Sequence, residues 1–164
     1  MILLPVAALL AVGQVVPSMT LPDDEGPTHV VPRQGQPLLV VYEDREASKS
    51  NTQTRAIIAA YHDLPSNRAK LDVWPVADLS RWDFWPARSL ALKHVQATAA
   101  EARSRILIDW KGACQKAWGL RRGTSTVLLV GADGRVTFAT EGEETPEQRA
   151  ELEKQLRELG LAPK

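Results

Sequence analysis

The amino-acid sequence predicts an α/β fold, a three-layer α/β/α sandwich built on a central mixed β-sheet. Two observations predict this class. Apolar runs of strand length alternate with segments of helical periodicity as far as residue 118. Beyond residue 118, two strand-like runs flank a glycine-containing turn, and one amphipathic helix closes the chain. The predicted order is therefore βαβ, a further helix, and a closing ββα unit.

The first part of this order contains two strands and two helices. Residues 37–42 form a continuous apolar run, which is typical of a strand covered on both faces. Ser48 is predicted to cap the next helix. The buried side of that helix should carry Ile57, Ile58, Tyr61 and Leu64.

A second strand is predicted at 71–77, where Pro75 requires an edge or a bulge because it has no N–H to donate. Pro86 is predicted to open the second helix. Its apolar side should carry Leu90, Ala91, Val95, Ala99 and Ala102.

The next elements are a third strand, a short helix and a hairpin. Residues 105–109 are predicted to form a buried strand, and residues 113–118 a short helix that ends at Gly119. Residues 126–130 and 136–139 are predicted to pair as a hairpin, because the turn between them supplies a glycine for positive φ.

The last helix has a complete start signal. Thr145 provides a capping hydroxyl, Pro146 occupies the first helical position, and Gln148 completes a capping box. An apolar stripe then follows at spacings of four and three residues, made of Leu152, Leu156 and Leu159. This helix is predicted to pack that stripe on the sheet and expose its many charges.

Composition excludes several function classes. The 164 residues include 20 basic and 20 acidic side chains, so net charge gives no reason to expect nucleic acid as a partner. The single cysteine, Cys114, excludes an internal disulfide, a Cys-x-x-Cys pair and a cysteine-rich zinc site. Three scattered histidines give no helical ligand spacing. We therefore predict no metal and no cofactor.

The amino-terminal segment predicts the domain boundary and the location. Residues 1–12 are uncharged and apolar, and they are shorter than the roughly 20 residues that a membrane-spanning helix needs. They resemble the apolar part of a secretory signal framed by Ala11 and Gly13, although no basic residue precedes them. The alternative is a buried first strand. We predict a signal peptide or apolar segment at 1–13, one domain at 14–164, and a periplasmic or secreted location, with the cytoplasm as the alternative.

Four strings, in order along the chain, carry a family resemblance. Residues 12–26 contain V-G-x-x-x-P-x-M-x-L and end on a glycine, and an apolar strand follows at 38–42. Residues 106–120 contain I-L-I-D and A-W-G-L, and residues 125–136 contain S-T-V-L-L-V and D-G-R-V. This order resembles the thioredoxin fold, and in particular the redoxin (alkyl hydroperoxide reductase/thiol-specific antioxidant) superfamily. The resemblance covers nearly the whole chain and implies a thioredoxin-like sandwich with an N-terminal extension.

A narrower resemblance lies at the junction between the first strand and the first helix, residues 42–51. The Tyr-Glu-Asp string at 42–44 resembles the YtfJ group of exported thioredoxin-fold proteins, in which Tyr-Glu-Asp replaces the redox site. The V-A-D-L-S string at 76–80 and the S-T-V-L-L-V string at 125–130 also resemble that group. In redox-active relatives the attacking thiol begins this helix, where the helix dipole stabilises a thiolate. Here the junction contains no sulfur, and Thr124-Ser125 stands where redox relatives carry a cis-proline. The resemblance therefore implies a protein without thiol exchange.

If the junction has a function, we predict that it is a binding surface. Open α/β sheets bind ligands at the carboxyl ends of their strands, and free N–H groups with Lys49 suit an anion. The predicted surface consists of Glu43, Asp44, Ser48, Lys49, Asn51, Asp78, Trp82, Trp85 and Ser125. Its partner is predicted to be an unidentified protein or a small polar ligand. Two alternatives stay open: Asp44 or Ser48 only caps the helix, or Glu43, Asp44 and Asp78 converge as the paired carboxylates of a hydrolase.

Cys114 supplies the enzymatic alternative. Free cysteines are strongly inclined to burial, and Cys114 shares the predicted sheet-facing side of its helix with Trp118, which favours an inert thiol. However, it lies in the first turn of that helix near Lys111, where a thiolate would be modestly stabilised. An accessible Cys114 would act in peroxide or thiol chemistry, as a redoxin-type antioxidant or oxidoreductase.

The segment 80–86 contains Trp82, Phe84 and Trp85 in a predicted loop. Tryptophan and arginine are favoured anchors at interfaces, so the loop is a candidate contact patch or oligomer interface. The favoured interpretation is burial over the sheet end, because proteins seldom leave a contiguous apolar patch exposed. Trp74, Trp110 and Trp118 are predicted to be core, and His29, His62 and His94 to be isolated.

Overall fold

The computed structural model describes residues 10–164. The predicted N-terminal segment, residues 1–13, falls largely outside the described residues. The remaining chain contains seven strands and five helices, which in order are β1 (Met19–Pro22), β2 (Thr28–Val31), β3 (Leu38–Glu43), α1 (Thr52–His62), α2 (Pro65–Arg68), β4 (Asp72–Asp78), α3 (Ala87–Ala102), β5 (Leu107–Asp109), α4 (Ala113–Trp118), β6 (Thr126–Val130), β7 (Val136–Glu141) and α5 (Pro146–Glu158). Short 3-10 turns at Ala47–Lys49 and Ser80–Trp82 follow β3 and β4.

The central sheet has five strands in the order β5-β4-β3-β6-β7. Strands β3, β4 and β5 run parallel, whereas β6 is antiparallel to both β3 and β7. The mixed sheet predicted from the sequence is thus confirmed. A separate antiparallel pair, β1 and β2, lies near β5, and Asp23 in its turn bridges to Leu107.

Pro75 occupies a place in β4 that tolerates a residue without an N–H. Only Val76 to Asp78 of β4 pair with β5, so Pro75 lies in the half of the strand that has β3 as its single neighbour. Because that half is locally an edge, no ladder hydrogen bond to β5 is lost. This confirms the edge placement predicted from the sequence.

The sheet buries apolar side chains on both faces, as its continuous apolar strands predict. Alternate residues of β3 point to opposite faces of the sheet: Leu38 and Val40 lie on one face, and Leu39 and Val41 lie on the other. The first face packs under α4, whose Trp118 is fully buried. The second face packs under α1 and α5, and α3 covers the part of it near β5.

Several predicted helix ends are confirmed. Helix α4 spans Ala113–Trp118 and ends at Gly119, whose φ of +66° is the left-handed conformation that favours glycine. Helix α5 begins with a complete capping box, in which the Thr145 hydroxyl accepts from the backbone of Gln148 and the Gln148 side chain accepts from the backbone of Thr145.

Two predictions about helices were wrong. Ser48 does not cap α1, because it lies in the preceding 3-10 turn and Asn51 occupies the cap position. Leu90 does not face the core, since it is 67% exposed, whereas Val95 and Ala99 of the same helix are buried. Helix α3 turns the side of Val95 and Ala99 toward the sheet, which leaves Leu90 outside the buried stripe.

Candidate functional site

The candidate site begins where β3 ends and the chain turns into α1. The Asp44 carboxylate accepts hydrogen bonds from the N–H groups of Glu46 at 3.0 Å and Ala47 at 2.8 Å. A short acidic side chain at this point satisfies the free donors of the 3-10 turn, so Asp44 caps the turn rather than α1. Ser48 and Lys49 are exposed at its end, and Lys49 pairs with Glu46 at 3.0 Å.

Glu43 ties the junction to two other elements. One carboxylate oxygen accepts from the Ser125 hydroxyl at 2.6 Å, and the other pairs with the guanidinium of Arg55 on α1. Ser125 itself is 2% exposed. The serine that stands at the predicted cis-proline position therefore anchors a strand-end carboxylate instead of presenting a free surface group.

Asn51 and Glu144 form a second linkage, which the sequence did not suggest. The Asn51 amide donates to the carbonyl of Gly142 at 2.7 Å, and its oxygen accepts from the N–H of Glu144 at 2.9 Å. The buried Glu144 carboxylate accepts from Thr140 at 2.9 Å and from Thr54. Burial raises the pKa of Glu144, and this outweighs the opposing hydrogen bond from Thr140. This Asn51–Glu144 clasp fastens the start of α1 to the loop before α5.

On the face of the sheet opposite to Glu43, polar side chains lie at the carboxyl ends of the parallel strands. The Tyr42 hydroxyl donates to Asp109 at 3.0 Å, and Asp109 also accepts from the N–H groups of Ala113 and Cys114 at 2.8 and 2.9 Å. Asp78 accepts from the hydroxyl of Ser80 at 2.6 Å. Burial and these two carboxylates raise the pKa of Tyr42, which keeps the phenol neutral. Asp109 thus caps α4, a role that its position between an apolar strand and a short helix could have suggested.

The geometry does not bring Glu43 and Asp78 together. Glu43 lies opposite Ala77 in the parallel register, one residue before Asp78. Because side chains alternate between faces, Glu43 lies with Arg55 on one face, whereas Asp78 lies on the face of Tyr42 and Asp109. The arrangement of converging carboxylates considered for a hydrolase at Glu43, Asp44 and Asp78 is therefore wrong.

Cys114, the second residue of α4, is fully buried in the core cluster with Trp118 and Val76. Burial raises the pKa of its thiol, and the nearby carboxylates of Asp109 and Asp78 act in the same direction. A thiolate is the reactive form of cysteine, so this environment disfavours nucleophilic chemistry.

The aromatic segment is exposed, so the expectation that it is buried was wrong. Trp82, Phe84 and Trp85 are 42%, 58% and 86% exposed. The loop turns these rings away from the sheet, and Trp85 has most of its surface in solvent. They do not line the groove described below.

The remaining three tryptophans all contact the apolar core. Trp118 is core, as predicted, and its indole N–H donates to the carbonyl of Pro17 at 2.9 Å. Trp74 and Trp110 are half-buried and pack against the edges of two apolar clusters, so their predicted core placement is confirmed only in part. The Arg88 guanidinium lies 4.1 Å from the Trp110 ring centre, and the ring of His29 lies 4.7 Å from Trp74.

His29 is not isolated, which corrects the sequence interpretation. It contacts Asp23 at 2.8 Å in the turn between β1 and β2, and Arg105 approaches the same carboxylate at 3.3 Å. Burial alone would raise the pKa of Asp23. The hydrogen bond with His29 and the charge of Arg105 outweigh burial and lower that pKa. Among residues 10–164, no cluster of three or more His, Cys, Asp or Glu side chains has the arrangement of a metal site.

A groove of about 370 Å³ opens between α1 and α3 beside the junction. Its apolar lining includes Val41 and Pro75 from the sheet and Val95 from α3, and Glu43 and Asp44 lie at its polar end. The structure thus brings Glu43, Asp44 and Ser48 to one groove, with Ser125 bonded to Glu43. Asn51 and Asp78 are engaged in contacts within the fold, and Trp82 and Trp85 form a separate exposed patch.

Solved structures similar to this chain have thioredoxin-type folds. A predicted protein disulfide isomerase from Bacteroides thetaiotaomicron superimposes with a TM-score of 0.68 at 16% identity, covering 93% of both chains. The thioredoxin domain of a thiol-disulfide oxidoreductase from Bacteroides vulgatus gives 0.62 at 16% identity, covering 90% of this chain and 99% of that one. A peroxiredoxin-like protein from Aquifex aeolicus gives 0.61 at 12% identity, covering 94% and 90%.

Sequence comparison adds a family match over part of the chain. No curated protein matches the chain. The family described as "bacterial protein of unknown function (YtfJ_HI0045)" matches residues 93–159. No helix in the described part of the chain is long and apolar enough to cross a membrane. The fold is therefore thioredoxin-like, and the resemblance to the YtfJ group that the sequence predicts is confirmed over residues 93–159.

Proposed function

We propose that this protein is a thioredoxin-fold binding or accessory module that carries out no thiol chemistry. One observation carries the proposal: the strand-to-helix junction, where redox relatives place a reactive thiol, holds a turn capped by Asp44 and contains no sulfur. The single cysteine lies elsewhere, fully buried, with a raised pKa. Fold likeness to oxidoreductases does not itself imply their activity, because chemistry resides in the site rather than in the fold.

The proposed contact surface is centred on Glu43, Asp44, Ser48 and Lys49 and on the adjoining groove. Ser48 and Lys49 are exposed and present a hydroxyl and an ammonium group, while the groove adds apolar area. Concave apolar sites with a few fixed polar groups are the usual form of ligand sites. Ser125, Asn51 and Asp78 contribute by shaping this end of the sheet, and Trp82 and Trp85 supply a second contact area. The partner would be a protein or a small polar ligand.

Turnover assays test the absence of thiol chemistry. Insulin disulfide reduction with dithiothreitol and peroxide reduction with a thiol donor are measured for the wild-type protein and for Cys114→Ser. We expect both proteins to remain at the background rate. Turnover by the wild type that Cys114→Ser abolishes would overturn the proposal, because it would show that the buried thiol reaches substrate.

Site-directed photo-crosslinking tests the contact surface. A benzoylphenylalanine replaces Ser48 in one variant and the exposed Lys154 of α5 in a matched control, and both are irradiated in the cells that produce the protein. Discrete adducts from position 48 and none from position 154 are the expected result. Adducts of equal yield at both positions would mean that the junction is not a preferred surface.

We infer a cell-envelope location, periplasmic or secreted, for the domain at 14–164. The uncharged apolar run at 1–12 and the resemblance to exported proteins support this inference. Mass spectrometry of the mature protein tests it directly. A chain that begins after residue 11 to 13 is expected, whereas an intact Met1 in the mature protein would contradict the location.

A further inference from the structure

Four large apolar side chains are exposed together near the carboxyl end of β4. Trp82, Phe84 and Trp85 lie in the loop before α3, and Leu90 lies in its first turns at 67% exposure. We call these four residues the aromatic patch. They fall within nine consecutive positions, and backbone hydrogen bonds of 2.8 Å join Phe84 to Trp82 and Arg88 to Phe84, so the loop and the first turn of α3 form one local surface. Exposed apolar patches of this kind mark interaction sites.

The patch lies in a cationic surrounding, although the whole chain has zero net charge. Between Ser80 and Ala100 the sequence contains three basic residues, Arg81, Arg88 and Lys93, and one acidic residue, Asp83. Asp83 pairs with Arg88 and also with Lys111, which follows β5. Arg81 and Lys93 have no ion pair within the described residues, so their charges remain available.

We propose that the aromatic patch docks on the headgroup region of an anionic phospholipid bilayer. This goes beyond the proposed function and shares with it only the role of Trp82 and Trp85 as contact residues. Tryptophan rings prefer the boundary between headgroups and acyl chains, and flanking Lys and Arg are attracted to anionic lipid. Protein interfaces, in contrast, are depleted of lysine, whereas Lys93 and Lys111 border this patch.

The geometry of the patch also suits insertion into a lipid bilayer. Trp85 and Leu90 are the most exposed of its members, at 86% and 67%, and Arg88 between them is held against Trp110 at 4.1 Å. The ion pairs of Asp83 with Arg88 and Lys111 tie the loop to α3 and to the segment after β5. The rings therefore project from a fixed base and would enter the bilayer without refolding of the loop.

Vesicle sedimentation with the full chain tests this proposal. Partition is measured on phosphatidylcholine vesicles and on vesicles that contain phosphatidylglycerol as about one third of the lipid. We expect binding to the anionic vesicles alone, weakening at high salt because surface charges are screened. The double variant Arg81→Glu and Lys93→Glu should lose about fivefold in partition for each cation removed. Trp85→Ser with Phe84→Ser should lose roughly tenfold or more, since buried aromatic area is removed.

Two matched variants act as controls. Val30→Ser removes an apolar residue that is 50% exposed on β2, and Lys154→Glu reverses a charge on α5; both should bind like the wild type. Circular dichroism confirms that every variant is folded. No partition on anionic vesicles, or equal partition of the Trp85→Ser, Phe84→Ser variant, would overturn the proposal. So would light scattering that shows a dimer which this variant dissociates, because the patch would then be a protein interface. None of these outcomes depends on the turnover or crosslinking assays above.

Discussion

Replacement of Asn51 tests how the candidate site is held in place. Asn51 begins α1 with φ 56° and ψ 35°, the left-handed conformation, and its side chain makes hydrogen bonds of 2.7 and 2.9 Å to the loop before α5. Asn51→Ala removes both bonds, at about 1 kcal/mol each in net stability. It also places alanine in a conformation that costs about 1 kcal/mol or more for a side chain without a local hydrogen bond. The expected loss is about 3 kcal/mol in the free energy of unfolding.

Asn51→Gly separates the two contributions. Glycine loses the same hydrogen bonds but adopts positive φ without steric strain. After allowance for the greater freedom of glycine in the unfolded chain, Asn51→Gly should be less destabilising than Asn51→Ala by about 0.5 kcal/mol. The difference in stability between the two variants therefore tests the backbone conformation at Asn51. The loss of stability that both variants share tests the hydrogen bonds of the Asn51–Glu144 clasp.

Urea denaturation followed by tryptophan fluorescence measures both quantities, since a change in midpoint at constant slope is a change in stability. Photo-crosslinking from position 48 in the Asn51→Ala background then shows whether the junction depends on the clasp. Equal midpoints for the alanine and glycine variants would refute the left-handed conformation at Asn51. A loss well below about 1 kcal/mol in both variants would refute the two hydrogen bonds.

The remaining predictions concern the buried groups. Cys114, fully buried, should not react with Ellman's reagent in the native protein and should react as one thiol in denaturant; rapid native reaction would contradict its burial. Because the folded pKa of Glu144 is raised, its contribution to stability is present at low pH and is lost as pH rises through that pKa. Wild type should therefore lose stability relative to Glu144→Gln between acidic and neutral pH, as measured by urea midpoints; a constant difference would contradict this. Leu156→Ala should lose about 2–5 kcal/mol in the free energy of unfolding, measured by heat or urea, because Leu156 of α5 is fully buried against the sheet; Leu90→Ala should lose much less, because Leu90 is exposed.

Local signals allowed much of the fold to be predicted. The limits of α4, the capping box of α5 and the edge position of Pro75 each depend on residues within a few positions of one another. Such signals act through the backbone conformation and hydrogen bonds of a single segment, so they can be recognised without the rest of the chain. The missing sulfur at the junction belongs to the same class, because it needs only the order of elements and the position of Cys114.

The geometry of the candidate site could not be predicted in the same way, because it depends on contacts between distant segments. Glu43 and Asp78 both end parallel strands, yet they point to opposite faces because the register places Glu43 opposite Ala77. A register shift of one residue would have reversed that result, and nothing within either strand specifies the register. The partnership of Asn51 with Glu144, separated by 93 positions, likewise has no local signal.

The sequence by itself determined the thioredoxin-like order of strands and helices and the loss of sulfur from the junction, because periodicity, caps and residue identity are properties of short segments. Only the tertiary structure decided which polar groups meet, that the side chain of Cys114 is buried between α4 and the sheet, and that Trp82, Phe84 and Trp85 remain exposed. Burial and pairing depend on which distant surfaces pack together, and no short segment of the sequence specifies that.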